Sequence, residues 1–214
     1  MTTHRAMVDA LTRPTHRIGA VVLAAGNSTR LGYPKQLIEH EGNSLVRRAA
    51  LAALDAGADP VIVVVGASSD AVAAAVNDLN DVTVVLNPKW ESGLASSLNA
   101  GLKTILAMNV EAALILAADQ PLIDATVIQQ LMDAFDHEHR IVASAYDDIV
   151  GVPAIFGVEH FGSLMDLKGD EGAGRWLRAR LDEVTQIRVH IASIDIDTPA
   201  DAERLAAGDL PSDR

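Results

Sequence analysis

From Ile18 onward, short apolar runs alternate with stretches of helical periodicity. Ile18–Leu23 is a continuous apolar run, the pattern of a parallel strand buried on both faces. Ser44–Ala56 reads as a helix, with Ser44 at its N-cap and Gly57 just past its end. Pro60–Val65 predicts a second strand and Ser68–Leu79 a second helix, capped by Ser68 or Ser69. Val82–Leu86 follows as a third strand and Ser92–Met108 as a third helix. Ala112–Ala118 and Ile141–Ala145 predict the fourth and fifth strands, around a helix over Asp124–His137 that Asp124 can cap. This rhythm predicts the α/β class: a three-layer α/β/α arrangement with a mostly parallel, Rossmann-like sheet. After Gly151 the rhythm weakens. Val152–Phe156 reads as a strand, Gly172–Leu181 as helical and Val184–Ile194 as extended. Pro199–Ala207 reads as a last helix, with Thr198 as cap and Pro199 at its first position. The pattern predicts a flexible N-terminal extension over 1–17, one domain over 18–207 and a frayed tail over 208–214.

Composition narrows the chemistry. The chain has 214 residues, enough for a core that needs no covalent staples. It has no cysteine, which excludes disulfides, thiolate metal sites and cysteine nucleophiles. Seventeen Lys and Arg against 29 Asp and Glu give a net charge of −12, so a fold-wide nucleic-acid surface is not expected. No run reaches the ~18 apolar residues of a membrane span, and Met1–Arg17 lacks the apolar stretch of a secretory signal. A cytoplasmic location is the resulting expectation. Hydrophobic residues make up 49% of the chain but aromatics only 3%, so the core is aliphatic.

In open α/β sheets ligands bind beyond the C-terminal strand ends. The first strand runs into Leu23-Ala24-Ala25-Gly26-Asn27-Ser28-Thr29-Arg30-Leu31-Gly32-Tyr33-Pro34-Lys35. Small residues there let backbone N–H groups approach phosphates, and Arg30 and Lys35 bring the charge a triphosphate needs. The spacing is neither a Walker A loop nor a dinucleotide fingerprint; taken alone, it also suits an ordinary strand-to-helix turn with two solvated cations. Asp119, in Ala117-Ala118-Asp119-Gln120-Pro121, ends the fourth strand. A carboxylate there can hold Mg²⁺ beside phosphates, or serve a turn, but Asp124 is better placed to cap the next helix. The segment from Asn87 to Gly101 opens the third helix with Gly93, Ser96, Ser97 and Leu98, which suits anion or base-edge recognition as well as capping by Ser92. Trp90 beside it suits stacking on a ring or plain packing. In Asp195-Ile196-Asp197-Thr198-Pro199, alternation puts both acids on one face, for a metal or for the cap of the last helix. His137 and His139, two apart, would diverge on a helix and make no metal pair.

Together these segments resemble the nucleotidyltransferases of the molybdenum-cofactor family, in particular its cytidylyltransferases. The opening pattern Leu-Ala-Ala-Gly-x-Ser-x-Arg-x-Gly-x-x-Lys is matched at Leu23, Ala24, Ala25, Gly26, Ser28, Arg30, Gly32 and Lys35. Asp119-Gln120-Pro121, Gly151-Val152-Pro153, Ser96-Ser97-Leu98 with Gly101, and Asp195–Pro199 also fit. The resemblance implies a nucleotidyltransferase-type sheet and transfer of CMP from CTP to the terminal phosphate of a molybdopterin-type acceptor, with a molybdoenzyme as eventual client. It implies Lys35 and Arg30 on the triphosphate, Asp119 as Mg²⁺ ligand and catalytic residue, and Asp197, or failing that Asp195, as second ligand. It places Gly93 and Ser96–Leu98 with the first loop on the nucleotide, and Gly151, Pro153 and Arg175 on the acceptor. One departure stands out: the family's Gly-Asp-x-Gly-Ala-Arg is here Gly169-Asp170-Glu171-Gly172-Ala173-Gly174-Arg175, with an extra glycine that shifts the register of Arg175. A guanylyltransferase of the same cofactor, a sugar-phosphate or methylerythritol-phosphate cytidylyltransferase, and a non-catalytic cofactor-delivery protein remain the alternatives.

Overall fold

The computed structural model describes residues 16–210. The expected N-terminal extension falls outside the described residues except for His16 and Arg17, and the expected tail beyond residue 210 does too. Arg17 donates to the Met108 carbonyl at 2.8 Å and fixes the entry into the first strand.

Nine strands and seven α-helices are described: β1 Ile18–Ala24, β2 Glu39–His40, β3 Asn43–Ser44, α1 Leu45–Asp55, β4 Val61–Val65, α2 Ser69–Ala74, β5 Val82–Leu86, α3 Leu94–Leu106, β6 Ala112–Ala117, α4 Ala125–Ala134, β7 Ile141–Tyr146, β8 Ile149–Gly157, α5 Phe161–Met165, α6 Ala173–Arg178, β9 Thr185–Arg188 and α7 Pro199–Ala207. The main sheet has seven strands in the order β5-β4-β1-β6-β8-β7-β9. Its left half is parallel, as the unbroken apolar runs predict. Alternate residues of those strands enter opposite layers. Ala20, Val22, Val63 and Leu114 pack with α1 and α4, whereas Val21, Val64 and Ile115 pack under α3 and α6. The result is the expected three-layer α/β/α arrangement around a mostly parallel sheet. Among the described residues no helix is long and apolar enough to cross a membrane.

Gly101 sets the distance between α3 and the sheet. A Cβ there would overlap the Val21 side chain, so only glycine lets the helix sit this close.

Three elements depart from the sequence-based expectation. The helix expected over Ser68–Leu79 is regular only to Ala74, and Ser68, at φ 54°, makes no side-chain cap. The third helix starts at Leu94, with Gly93 rather than Ser92 at its N-cap. The extended stretch expected over Val184–Ile194 is a strand only at Thr185–Arg188 and then turns helically at His190–Ser193.

The right half of the sheet carries an antiparallel strand, β8, wedged between β6 and β7. Its pairing with β7 jumps from Ala143↔Ala154 to Ser144↔Gly151, so Val152 and Pro153 bulge out of the ladder. The bulge explains how a proline is tolerated inside a sheet. It also frees the Val152 carbonyl for a side chain near the C-terminal end of β6.

The last helix fits its prediction at both ends. Thr198 accepts from the Asp201 amide and Asp201 answers to the Thr198 amide, a reciprocal capping box. Ile196 and Leu205 then pack with Leu31 and Leu45 in a separate small cluster. That cluster joins the loop after β1 to the segment carrying Asp195 and Asp197.

Candidate active site

The loop after β1 is shaped by its own backbone. Leu31 and Gly32 amides both donate to the Ser28 carbonyl, closing a turn in which Ser28 and Gly32 have positive φ. The Ser28 hydroxyl accepts from the Lys35 amide at 3.0 Å, and Gln36 Nε2 donates to the Gly26 carbonyl at 2.7 Å. These bonds fix the start of the short helical turn Lys35–Leu37 and aim Lys35 back at the sheet.

The end of β6 is tied to the same place. The Ala118 amide donates to the Leu23 carbonyl and the Ile196 amide to the Asp119 carbonyl, so Asp119 lies between the first loop and the Asp195–Asp197 segment. Gln120 Nε2 donates to the carbonyls of Val152 and Ala192, at 3.1 and 2.8 Å. This buried amide latches the turn after β6 to the bulge in β8 and to the chain approaching Asp195.

Three charged groups converge as a result. Lys35 Nζ lies 2.5 Å from Asp119 Oδ2 and 2.7 Å from Asp197 Oδ1. Arg30 Nη2 holds the other Asp197 oxygen at 2.8 Å. Burial works against the Lys35 charge, but Asp119 and then Asp197 outweigh it, and its pKa lies above the ordinary lysine value. The hydrogen bond from Lys35 holds the Asp197 carboxyl below the usual range. Asp195 faces the same group. It keeps solvent contact at the rim, yet the protein crowded around it and the nearby Asp119 charge push its pKa up to about 7. Asp195 and Asp197 do share a side, with Ile196 buried between them, but the segment is irregular rather than a strand.

A cleft of about 660 Å³ opens beside this cluster. Of the residues singled out from sequence, Leu23, Ala25, Gly26, Lys35, Gly93, Ser97 and Asp119 line it. The others do not. Ala24 is buried in the layer under α1 and α4, and Leu98 in the core under α3. Ser28 organises the loop, and Arg30 reaches the site only through Asp197. Ser96 turns toward the Gly93 and Lys89 carbonyls and accepts from Asn87 Nδ2 at 2.8 Å. Asn87 Nδ2 also donates to Ser97 Oγ, which leaves the Ser97 hydroxyl proton for a ligand in the cleft. Gly151 and Pro153 flank Val152, and it is Val152 that lines the cleft. Arg175 lies in an adjoining hollow, 69% exposed and bonded to Glu171.

Gln36 and Glu91 line the cleft without having been singled out from sequence, and Asp170, Gly172 and Gly174, named there only for the shifted register of Arg175, line it too. Trp90, left open between stacking and packing, packs on Gly66 and also lines the cleft. A Cβ on Gly66 would come within 2.6 Å of the Trp90 Cβ and 2.9 Å of the Ala25 Cβ, so Trp90 and Ala25 meet across it as one wall.

Gly93 holds the far rim. It has φ 105°, and a Cβ there would overlap the Gly169 carbonyl group. The Gly169 carbonyl in turn accepts from the Ala95 amide at 3.0 Å. Gly93→Ala is therefore expected to push the 169–170 loop off the cleft and weaken nucleotide binding by about tenfold or more, some 1.4 kcal/mol. Equilibrium titration with a fluorescent nucleotide checks this; unchanged affinity would show that the loop takes no part.

The geometry admits a divalent cation. Asp119 and Asp197 already converge on one positive charge, the Lys35 ammonium, so the pocket between them suits a cation. Among the described residues no three His, Cys, Asp or Glu side chains form a complete metal cage. Mg²⁺ needs none, since it takes one or two carboxylates and fills its shell with phosphate oxygens and water.

The chain is similar to several known proteins. The chain is 35% identical over 133 residues to nicotine blue oxidoreductase of Paenarthrobacter nicotinovorans, a match covering 62% of this chain and 63% of that one. It therefore spans under two thirds of the length of that relative. It is 28% identical to a probable molybdenum cofactor guanylyltransferase of Opitutus terrae, over 66% of this chain and 67% of that one. Among solved structures, Rv0371c of Mycobacterium tuberculosis H37Rv superposes with a TM-score of 0.75 at 31% identity, covering 90% of this chain and 99% of the other. The same protein solved in complex with manganese gives 0.69 at 28% identity, over 89% and 98%. The model of the MobA-like NTP transferase domain matches residues 20–184, and the chain belongs to that nucleotidyltransferase family.

Proposed function

We propose that the protein transfers CMP from CTP to the terminal phosphate of a pterin-type acceptor, releasing pyrophosphate. The observation that carries this reading is the convergence of Lys35, Asp119 and Asp197 beside a cleft walled by the β1 loop. In this reading the triphosphate lies along the loop from Ala25 to Lys35. Lys35 leaves its carboxylates for the phosphates, and Arg30 follows from the rim. Asp119 and Asp197 would then hold Mg²⁺, which when bound neutralises charge on the phosphate oxygens. An oxygen of the acceptor phosphate attacks the α-phosphorus in line. One P–O bond forms, the bond to the β-phosphate breaks, and pyrophosphate leaves. A phosphate monoester is largely dianionic at neutral pH, so no side chain has to remove a proton. Lys35 and Arg30 supply fixed positive charge where negative charge builds up.

The base preference rests on the wall made by Ala25 and Trp90 and on Ser97. The Ala25 methyl fills the wall, which favours the smaller pyrimidine, and the Ser97 hydroxyl offers one hydrogen bond to it. CTP is expected to exceed GTP at least about tenfold in kcat/KM. Pyrophosphate release from the four nucleoside triphosphates, with molybdopterin-type and sugar-phosphate acceptors, tests this. Equal or better use of GTP favours guanylyl transfer.

The relative named as an oxidoreductase brings a second reading, redox turnover in the same cleft. The absence of a dinucleotide fingerprint in the β1 loop argues against a nicotinamide cofactor there. Oxidation of NADH or NADPH with a quinonoid dye, without pyrophosphate release from any triphosphate, would favour it.

A further inference from the structure

The two outer strands of the main sheet, β9 and β5, differ in how they meet solvent. β9 is short and carries exposed Gln186 and Arg188, polar and charged side chains of the kind that keep an edge from pairing. β5, Val82-Thr83-Val84-Val85-Leu86, has no charge, no proline and no bulge. Val82 packs against the layer of α1 and α4, and Val85 against the layer of α3. Val84 and Leu86 stand outside both clusters, 37% and 59% exposed.

The backbone of β5 is only half engaged. The Asn87 amide donates to the Val65 carbonyl, so residues 83, 85 and 87 turn their polar groups toward β4. Residues 82, 84 and 86 turn theirs outward. The Val82 amide is already bonded to the Leu79 carbonyl at 3.1 Å. The Val82 carbonyl and both polar groups of Val84 and Leu86 stay open. Open amides and carbonyls beside exposed aliphatic side chains are a template for a further strand.

The charges at the two ends of β5 select which strand fits. Asp81 precedes it, Lys89 follows it, and no charged residue lies between them. Both side chains are exposed, and neither forms an ion pair or hydrogen bond among the described residues. An edge that is acidic at one end and basic at the other is complementary to its own copy run in the opposite direction. In an antiparallel two-fold pair centred on Val85, Val84 stands opposite the partner subunit's Leu86, and Asp81 opposite the partner subunit's Lys89. Four backbone hydrogen bonds form, all from Val84 and Leu86 of the two copies. Val82, whose amide is engaged, falls opposite Pro88, which has no amide, so the ladder ends without a stranded donor. A pair centred on Val84 also forms four bonds, but it sets Asp81 opposite Asn87 and loses the direct charge pairing.

We propose that the protein associates with a second copy of itself through β5, antiparallel and centred on Val85, so that the two sheets become one. The clefts lie at the C-terminal strand ends and therefore open at opposite ends of the joined sheet. The partner subunit's Asp81 then reaches Lys89, the neighbour of Trp90 in the cleft wall. This inference is independent of the nucleotidyl-transfer reading.

Sedimentation velocity of the full chain from about 1 to 300 µM is expected to show a monomer–dimer equilibrium in the micromolar range, as suits a small interface. Leu86→Lys is expected to weaken it at least about tenfold. Because the Leu86 side chain is exposed, the melting temperature in dilute solution should not change. Asp81→Lys and Lys89→Asp should each weaken the dimer about fivefold, and combining them should restore it, since the charges then pair in reverse. The chain has no cysteine, so single cysteines read the register. In a pair centred on Val85 the two residues 85 face each other at about 4.5 Å between Cα atoms, within disulfide reach. Val85→Cys should therefore cross-link two copies under mild oxidation, and Val84→Cys much less. A monomer at every concentration overturns the proposal, whatever else covers the edge. A dimer that Leu86→Lys leaves intact overturns it as well, as does cross-linking through Val84→Cys in preference to Val85→Cys.

Discussion

Replacing Lys35 with Met is expected to cut turnover about 100-fold or more, near 2.7 kcal/mol of transition-state stabilisation. It is also expected to lower the melting temperature of the metal-free protein. Both effects come from one geometry. The Lys35 side chain is only 17% exposed, and its ammonium lies within hydrogen-bond distance of both Asp119 and Asp197. Met keeps the length and apolar stem of the side chain and removes only the charge. Without that charge Asp119 faces Asp195 and Asp197, and only Arg30, on the outer side of Asp197, remains as counter-ion. Like charges left together destabilise the fold. The variant should therefore gain more stability from added Mg²⁺ or Mn²⁺ than wild type does, since the ion enters a pocket the ammonium no longer fills. Differential scanning fluorimetry with and without metal measures this, alongside initial rates. Wild-type rates, or a melting temperature indifferent to charge removal and metal alike, would remove Lys35 from the centre of the site.

That cluster shows what a one-dimensional reading reaches. The β1 loop was legible because its chemistry is local: small residues, two cations and a strand end lie within thirteen positions. The partnership of Lys35 with Asp197 spans 162 residues, and no periodicity in the chain announces it. It is created by the packing of Ile196 and Leu205 against Leu31 and Leu45, and the family resemblance names Lys35 and Asp197 only separately, one for phosphates and one for a metal. The two latching amides were missed for a related reason. Gln36 bonds a carbonyl of its own loop and Gln120 bonds carbonyls of two distant segments, and a glutamine in sequence gives no sign of which carbonyl it will meet. In the fold, the parallel half of the sheet was readable strand by strand, because strands buried on both faces show continuous apolar runs. The antiparallel β8 was harder. Its hairpin turns through Asp147 and Asp148, both at positive φ, without the glycine that usually marks such a turn. Pro153 then argues against an interior strand, and only the bulge beside it reconciles the two.

Asp119→Asn is expected to be the most damaging single substitution, with turnover down about 1000-fold, roughly 4 kcal/mol. The side chain keeps its size, and the backbone bond from the Ile196 amide to the residue 119 carbonyl is untouched, so the fold should persist. What disappears is the negative charge that ends β6 at the centre of the cluster. Asp119 is 20% exposed, lines the cleft and contacts Lys35 directly. Asp197 is 36% exposed and shares its charge between Lys35 and Arg30. Of the two carboxylates, Asp119 is thus the deeper and the less neutralised, and it should be the stronger ligand for a divalent ion. Asp197→Asn should fall less far, by about 100-fold, and Asp195→Asn least, because Asp195 bonds neither cation. Raising Mg²⁺ should recover part of the activity of Asp197→Asn and almost none of that of Asp119→Asn. Initial rates across a Mg²⁺ titration, with Mn²⁺ binding followed by electron paramagnetic resonance, rank the three. If Asp119→Asn turns over within tenfold of wild type at limiting Mg²⁺, the metal is held elsewhere. If its melting temperature drops in metal-free buffer while its metal affinity holds, Asp119 is a structural partner of Lys35 and no more.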